Sequence, residues 1–323
     1  MKEIGGYFGL ERLVNRPYYP ELIAVNSGRA ALLYILRAKG VKKLWIPRFL
    51  CGSVRKLCCD EGYSFEEYPI GEDFLPCFDG VLGRDEYLYV VNYYGQIGPE
   101  KVLTLKERYR NLILDNVQAF FQRPVNGVDT VYSCRKFFGV PDGGYVATDT
   151  PLCQPLTRDV SMDCMRHILG RFEGPSASDY YADAKANDKR FVGAGLRAMS
   201  ALTENLLGAI DYEAARMRRN ENYVVLAERL GPINSLAPTA PDGAFAYPFY
   251  HRDGMKLKKL LAAEKIYVPT LWPEVLELDG TLEKDYAENI LPLPCDQRYH
   301  PEDMRRVAEE LVKCVKKTNE TAR

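Results

Sequence analysis

The chain has 323 residues, 46% of them hydrophobic, enough for a sizeable core and, because single cores rarely grow beyond about 250 to 300 residues, for two lobes. Its 43 Lys and Arg against 44 Asp and Glu leave a formal net charge of -1, which excludes the strong positive field that nucleic acid or an anionic membrane would call for. Nine cysteines with no CxxC pair and three histidines fit neither a disulfide framework nor a metal site; no apolar run approaches the ~18 residues of a membrane span, and MKEIGGYFGLERL lacks the order of a signal peptide, so a cytoplasmic location is expected.

The first clear element is SGRAALLYILRAKG (27 to 40), a predicted helix with Ser27 as N-cap, an apolar stripe of Leu32, Leu33, Ile35 and Leu36, and Gly40 as its left-handed stop. Strands follow at KLWIP (43 to 47), EYLYVVN (86 to 92), NLILD (111 to 115), DTVYS (129 to 133) and GYVAT (144 to 148), rich in β-branched and aromatic residues and bounded by turn formers. An amphipathic helix, TLKERYR, precedes the NLILD strand. This alternation predicts an α/β domain with a largely parallel sheet. The adjacent Cys58 and Cys59 read as reduced helix residues, and Cys134 as a small packing residue.

Residues 154 to 230 carry no strand signal and read as helix-rich, with GPSASD (174 to 179) as a loop and N-cap. The stretch from Leu196 to Gly231 reads as one long helix bent near Gly208. After Pro232, the pattern is a strand AFAYPFY, a helix GMKLKKLLAAE, strands KIYVP and NILPLP, and a final helix PEDMRRVAEELVKCVKK. Together these predict a small α/β lobe.

Three features could carry chemistry. Asp115 ends a strand, and ligands of open α/β sheets bind outside the carboxyl ends of the strands; an Asp there is equally a loop cap. Ser27 and Gly28 open a helix, where free N–H groups and the dipole suit an anion, although simple N-capping accounts for them too. Neither GxxxxGK[ST] nor a GxGxxG after a strand is present. Lys136 follows Ser133 in an SxxK spacing at a strand end, before the tight turn GVPDGG. A phosphate cradle, a carboxylate for a pyridinium nitrogen and an imine-forming lysine are jointly what pyridoxal phosphate requires.

On these residues the sequence resembles the DegT/DnrJ/StrS family of pyridoxal phosphate-dependent sugar aminotransferases, of the aspartate aminotransferase fold type I. The likeness runs through SGRAAL (27 to 32) and KLWIPRFLC, then VNYYGQIG (91 to 98), LILDNVQAF (112 to 120) and YSCRKFFGVPDGGYVAT (132 to 148), and ends with AYPFY, KIYVPTLWP and ILPLPCDQRYHPEDMRRV. It implies a large domain with a mostly parallel seven-stranded sheet flanked by helices (21 to 205), a smaller C-terminal α/β domain (206 to 323), and an N-terminal segment (1 to 20) near the active site.

Carried over by position, Lys136 would hold the cofactor as a Schiff base and act as the base, and Asp115 would bind the pyridine nitrogen. Ser27, Gly28 and Arg29 would hold the phosphate with a hydroxyl from Ser133, and Gln118 would lie near the phenolic oxygen. For a residue stacked on the ring, Phe49 has the chemistry and Cys51 the register. The serine-to-lysine spacing is shorter than the family's SFxxTK, and its asparagine-x-arginine segment reads GLR at Gly195 to Arg197. Tyr93, Tyr94, His251 and Trp272 are candidates for the acceptor pocket, with packing the competing reading for all but Trp272 in its loop-like VPTLWP setting.

The resemblance implies an amino transfer from L-glutamate to the keto group of a nucleotide-linked sugar used in surface polysaccharide or secondary metabolite assembly, by a homodimer with its active site near the interface. Lys136 argues against the family's dehydratase branch, in which histidine replaces it. A fold type I enzyme acting on an amino acid or another keto compound, and a non-catalytic member that only binds the cofactor, are the alternatives.

Overall fold

A computed structural model describes residues 8–13, 16–174, 176 and 178–321. In chain order the elements are β1 (Ile23–Val25), α1 (Gly28–Ala38), β2 (Lys43–Pro47), α2 (Gly52–Glu61), β3 (Ser64–Tyr68), β4 (Glu86–Val91), α3 (Pro99–Tyr109), β5 (Leu112–Asp115), β6 (Asp129–Ser133) and β7 (Gly144–Ala147). They continue with α4 (Arg166–Glu173), α5 (Tyr181–Lys189), α6 (Ala201–Leu207), α7 (Tyr212–Leu230), β8 (Tyr247–Tyr250), α8 (Gly254–Ala263), α9 (Leu282–Asn289), β9 (Ile290–Leu293) and α10 (Pro301–Thr321).

β1 to β7 form one seven-stranded sheet in the order β1-β7-β6-β5-β4-β2-β3. The pairs from β6 through β3 are parallel, and β7 runs antiparallel to both of its neighbours. Strands covered on both faces read as near-continuous apolar runs, and β5, LILD, is buried at all four positions. The five strands predicted in this half are all present. Two more were not predicted: β1 has three residues, and β3, SFEEY, is an edge strand that leaves Glu66 and Glu67 exposed, the charged edge that discourages strand addition.

α1 forms as predicted. Ser27 Oγ accepts the Ala30 N–H at 3.1 Å, its apolar residues are buried from Ala30 to Leu36, and Gly40 ends it at φ +62°. Cys58 and Cys59 lie in α2, the first buried and the second exposed, and Cys134 is buried in a cluster with Phe137, Phe138 and Tyr145.

Between 196 and 231 the structure corrects the single bent helix: α6 and α7 are separate. Ser200 caps α6 through Thr203 N–H at 3.1 Å, and Asp211 caps α7 through Ala214 N–H at 2.9 Å. Strong cap residues inside the run start new helices because their side chains take N–H groups that would otherwise bond to carbonyls. The GPSASD loop includes Pro175 and Ala177, outside the described residues, and α5 begins beyond it at Tyr181, without a side-chain cap.

In the C-terminal part, α7, α8 and α10 pack with β8 and β9 around a second core of Leu226, Phe249, Leu257, Leu291 and Leu311. KIYVP is not a strand: Lys265 has φ +60° and Ile266 to Pro269 are irregular. The small sheet has two strands, β8 and β9, with Pro248 opposite Pro292. A proline lacks the N–H that a further ladder would need, which keeps this sheet narrow. Among the described residues no helix is long and apolar enough to cross a membrane.

Candidate active site

The carboxyl ends of β5 and β6 bring Asp115 and Lys136 together. Asp115 is the last residue of β5 and is buried; Tyr89 Oη donates to its Oδ2 at 2.6 Å and Val117 N–H to its Oδ1 at 2.8 Å. Burial pushes its pKa up, opposed by the Lys136 charge and by these two donors. Such a carboxylate stays available to a cation because its remaining lone pairs are not consumed by the protein.

Lys136 stands in a tight turn after β6, in which the Cys134 carbonyl accepts the N–H groups of Phe137 and Phe138 at 3.0 and 2.9 Å. The side chain is open along a cleft but walled by protein elsewhere, and its Nζ lies 5.8 Å from the centre of the Phe245 ring. Loss of water on the walled sides lowers the pKa of the amine, while Asp115 and Cys51 pull the other way and Arg135 adds to the lowering. This is the environment in which a lysine becomes a base or nucleophile.

The start of α1 lies beside the same strand ends. A Cβ on Gly28 would stand 3.3 Å from Val117 Cγ1 and 3.7 Å from Ser133 Cβ, so the helix N-terminus abuts both the Asp115 loop and the end of β6. Among the described residues, the N–H groups of Gly28 and Arg29 and the hydroxyl of Ser133 have no protein partner. Unpaired first-turn N–H groups and the helix dipole form an anion cradle. Ser27 itself is occupied: its hydroxyl donates to Asn26 Oδ1 at 3.2 Å and accepts from Ala30 N–H. Arg29 is half-buried; burial lowers its pKa, with Cys51, Arg135 and Asp188 close enough to act on it.

The turn after Lys136 is pinned from below. Asp142 is fully buried and accepts Ser200 N–H at 2.8 Å, Ser200 Oγ at 2.6 Å and the Thr203 hydroxyl. Gly143, at φ +113°, donates its N–H to Asn26 O at 2.7 Å, a conformation that a side chain would disfavour. Gly144 passes so close beneath that a Cβ would stand 2.8 Å from Ser27 C and 2.9 Å from Ser27 O. The glycine pair therefore sets the anion cradle and the lysine turn at a fixed spacing.

The other expected residues divide. Cys51 is exposed, precedes α2, and acts electrostatically on both Lys136 and Arg29. Phe49 is 0% exposed, its ring 4.4 Å from that of Trp272 and 5.1 Å from that of Tyr93, so the structure puts it in the core and leaves Cys51 at the site. Gln118 is buried, its Oε1 accepting Tyr94 N–H at 2.8 Å. Tyr93, Tyr94 and Trp272 are likewise buried in one aromatic cluster with Phe74. His251 sits between β8 and α8, its Nδ1 accepting Asp253 N–H at 3.2 Å. None of these four lines the cleft described next; the aromatic residues satisfy packing first.

From Lys136 a cleft of about 980 Å³ opens between α4 and the C-terminal lobe. Arg171, Lys265 and Arg306 on its walls have no carboxylate partner among the described residues, whereas Arg298 is held bidentately by Asp296. Phe172 and Tyr267, 87% and 72% exposed, stand on the same walls. Cations without a carboxylate partner converging on a concave surface beside bare aromatic faces favour an anionic ligand with a planar part. Single charges in separate helices and loops gave no local signal of this convergence, and Tyr89 was hidden as one more aromatic residue in a strand.

No protein-family model matches the sequence, and no curated protein matches it. The fold has close counterparts among solved structures. A DegT DnrJ EryC1 StrS aminotransferase from Brucella abortus is 16% identical over 90% of this chain and 85% of its own, with a TM-score of 0.62. The putative sugar aminotransferase Spr1654 from Streptococcus pneumoniae, in its PLP form, is 13% identical over 92% and 88%, with a TM-score of 0.62. DesI in the presence of its TDP-sugar product is 15% identical over 93% and 82%, with a TM-score of 0.61. The chain thus has the fold type I architecture of these sugar aminotransferases along nearly its whole length.

Proposed function

We propose that this protein is a pyridoxal phosphate-dependent aminotransferase that moves an amino group from L-glutamate to the keto group of a nucleotide-linked sugar. The observation that carries the reading is the approach of buried Asp115 and Lys136 across the ends of β5 and β6, close enough for each charge to act on the other, next to the unpaired N–H groups that open α1.

The residues present fit that cofactor. The N–H groups of Gly28 and Arg29, with Ser133, would hold its phosphate, and Asp115 would hold its ring nitrogen protonated. When bound, pyridoxal phosphate supplies an electrophilic carbon and a ring that withdraws electrons from the reacting centre. Tyr89 and the Val117 N–H orient the Asp115 carboxylate, and the positive charge it stabilises also favours its own ionised form. The lowered pKa of Lys136 enlarges the share of neutral amine, the form that bonds to an aldehyde carbon and that accepts and returns a proton.

The finer reading, a nucleotide-linked acceptor, is supported by Arg171, Lys265 and Arg306, which have no carboxylate partner among the described residues, and by exposed Phe172 and Tyr267, a wall suited to phosphates and a flat base. It is also supported by the TDP-sugar product of DesI and by the PLP form of Spr1654. A cytoplasmic homodimer accords with this reading.

The test is the absorbance of the purified protein with added pyridoxal phosphate, before and after L-glutamate, with Lys136→Ala alongside. A visible band that needs Lys136 and bleaches with glutamate is expected, followed by its return on adding a keto-sugar nucleotide. No band in the wild type sinks the reading; a band that glutamate leaves unchanged removes the proposed donor.

A further inference from the structure

The chain leaving Lys136 is gripped by a buried arginine that the reaction scheme does not use. Arg219, in α7, is 1% exposed and has no carboxylate within ion-pair distance among the described residues. Its Nη2 donates to the Phe137 carbonyl at 3.2 Å, its Nη1 to the Ala244 carbonyl at 2.7 Å and its Nε to Gln297 Oε1 at 2.7 Å. The Gln297 Nε2 donates to the same Phe137 carbonyl at 2.7 Å. The guanidinium also lies over the Phe137 ring, 4.5 Å from its centre.

A buried, unpaired charge is costly, and burial pushes the Arg219 pKa down to about 10. An apolar side chain of similar length would fill the volume without that cost, so the donors themselves are what the position supplies. Their landing points flank one group: Phe137 follows Lys136 in the chain, and Ala244 precedes Phe245, whose ring lies against the Lys136 Nζ. A guanidinium presents its donors in a fixed plane, which sets two strands of main chain at a defined separation.

We infer that Arg219, together with Gln297, is a positioning residue: it locks the main chain just after Lys136 to that just before Phe245 and so fixes where that amine stands in the cleft and how much water reaches it. The catalytic significance of this lock rests on the proposed function. The lock itself can be tested without cofactor. It ties the amine to the C-terminal lobe, since Gln297 and Ala244 belong to loops next to β9 and β8.

The experiment is competitive acetylation of the cofactor-free protein across pH, with the Lys136 peptide quantified by mass spectrometry against a free-amine standard. Wild type, Arg219→Met, Arg219→Lys and Gln297→Leu are compared. Arg219→Met should raise the labelling midpoint of Lys136 by about one pH unit, a roughly tenfold loss of reactivity near neutral pH, because the loosened turn admits water while Asp115 and Arg135 keep their charges. Gln297→Leu should move it the same way by less, and Arg219→Lys should restore part of the shift. Asn111→Leu, between α3 and β5, is the structural control: it removes bonds to the Gly83, Arg84 and Glu86 carbonyls, and none of these residues lines the cleft at Lys136. It should lower the melting temperature and leave the midpoint in place. An unchanged midpoint in a folded Arg219→Met or Gln297→Leu overturns the inference, and so does an equal shift in Asn111→Leu. A wild type that shows this pattern yet takes up no pyridoxal phosphate overturns the proposed function instead.

Discussion

Replacing Gly144 with alanine sets two opposing effects against each other. The residue lies outside the left-handed region, so alanine adopts its backbone without strain and should stabilise the protein by about 0.4–1 kcal/mol through the unfolded chain. Against this, the new Cβ would stand 2.7 Å from Tyr132 O, 2.8 Å from Ser27 C and 2.9 Å from Ser27 O. All three are main-chain atoms, one side in β6 and the other at the cap of α1, so no side chain can swing aside. Overpacking of this kind costs roughly 1–3 kcal/mol, and the net expectation is a loss of about 1–2 kcal/mol. Because two of the three atoms belong to Ser27, the first turn of α1 moves and phosphate contacts suffer with it; a loss of about 1.4 kcal/mol there is tenfold in affinity. Urea unfolding should give a lower midpoint at unchanged slope, and titration with pyridoxal phosphate should give weaker binding. A midpoint equal to or above that of the wild type would refute the argument, since it would mean that β7 does not run hard against residue 27.

Three further outcomes are expected. Asp142→Ala strips acceptors from Ser200 N–H and from the hydroxyls of Ser200 and Thr203 and should lower stability by about 2–4 kcal/mol in calorimetry; a change below half a kcal/mol would contradict the network. Lys258, buried on α8 with its Nζ donating to the Ala287 and Glu288 carbonyls at 3.0 and 3.1 Å, has its pKa pushed down to about 8. The unfolded chain, with the ordinary lysine value, therefore binds more protons between pH 8 and 10, so this group's contribution to stability rises through that window. Measured against Lys258→Met, the wild type should gain about 1–3 kcal/mol from pH 8 to 10 in denaturant melts; a flat difference would show that the amine is solvated. Removing Lys265 and Arg306 together should weaken the binding of a nucleoside diphosphate, measured calorimetrically, by tenfold or more at low salt and by less at high salt; unchanged binding would move the anion site elsewhere.

The legible parts of the molecule were those whose signal is local. LILD and DTVYS announce buried strands by composition, and Ser27 with Gly40 brackets α1 by cap chemistry, so the strand ends carrying Asp115 and Lys136 could be placed from sequence. β3 was hidden because an edge strand with Glu66 and Glu67 facing water has no apolar alternation, and β1 because three residues carry no period. Packing could be read for Tyr93, but not the cluster it joins: Phe49, Tyr93 and Trp272 come from three separated segments that meet only in the fold. For the same reason the grip of Arg219 on Phe137 could not be anticipated, since its partners lie in the loops around 137, 244 and 297.

The place of β1 at the rim of the large sheet bears on how the protein is made. Ile23 pairs with Val146 and Val25 with Gly144, so the strand that leads directly into α1 has no neighbour until β7 has been synthesised. During translation β2, β4, β5 and β6 can assemble in turn, while the N-terminal strand waits as an unpaired segment. Long-range pairing of this kind is slow, because loop closure precedes any gain from contact. The helix end suited to phosphate is thus the first part of the site to leave the ribosome and the last to be fixed. A nascent chain halted before Gly143 should not retain pyridoxal phosphate, even with Asp115 and Lys136 already present.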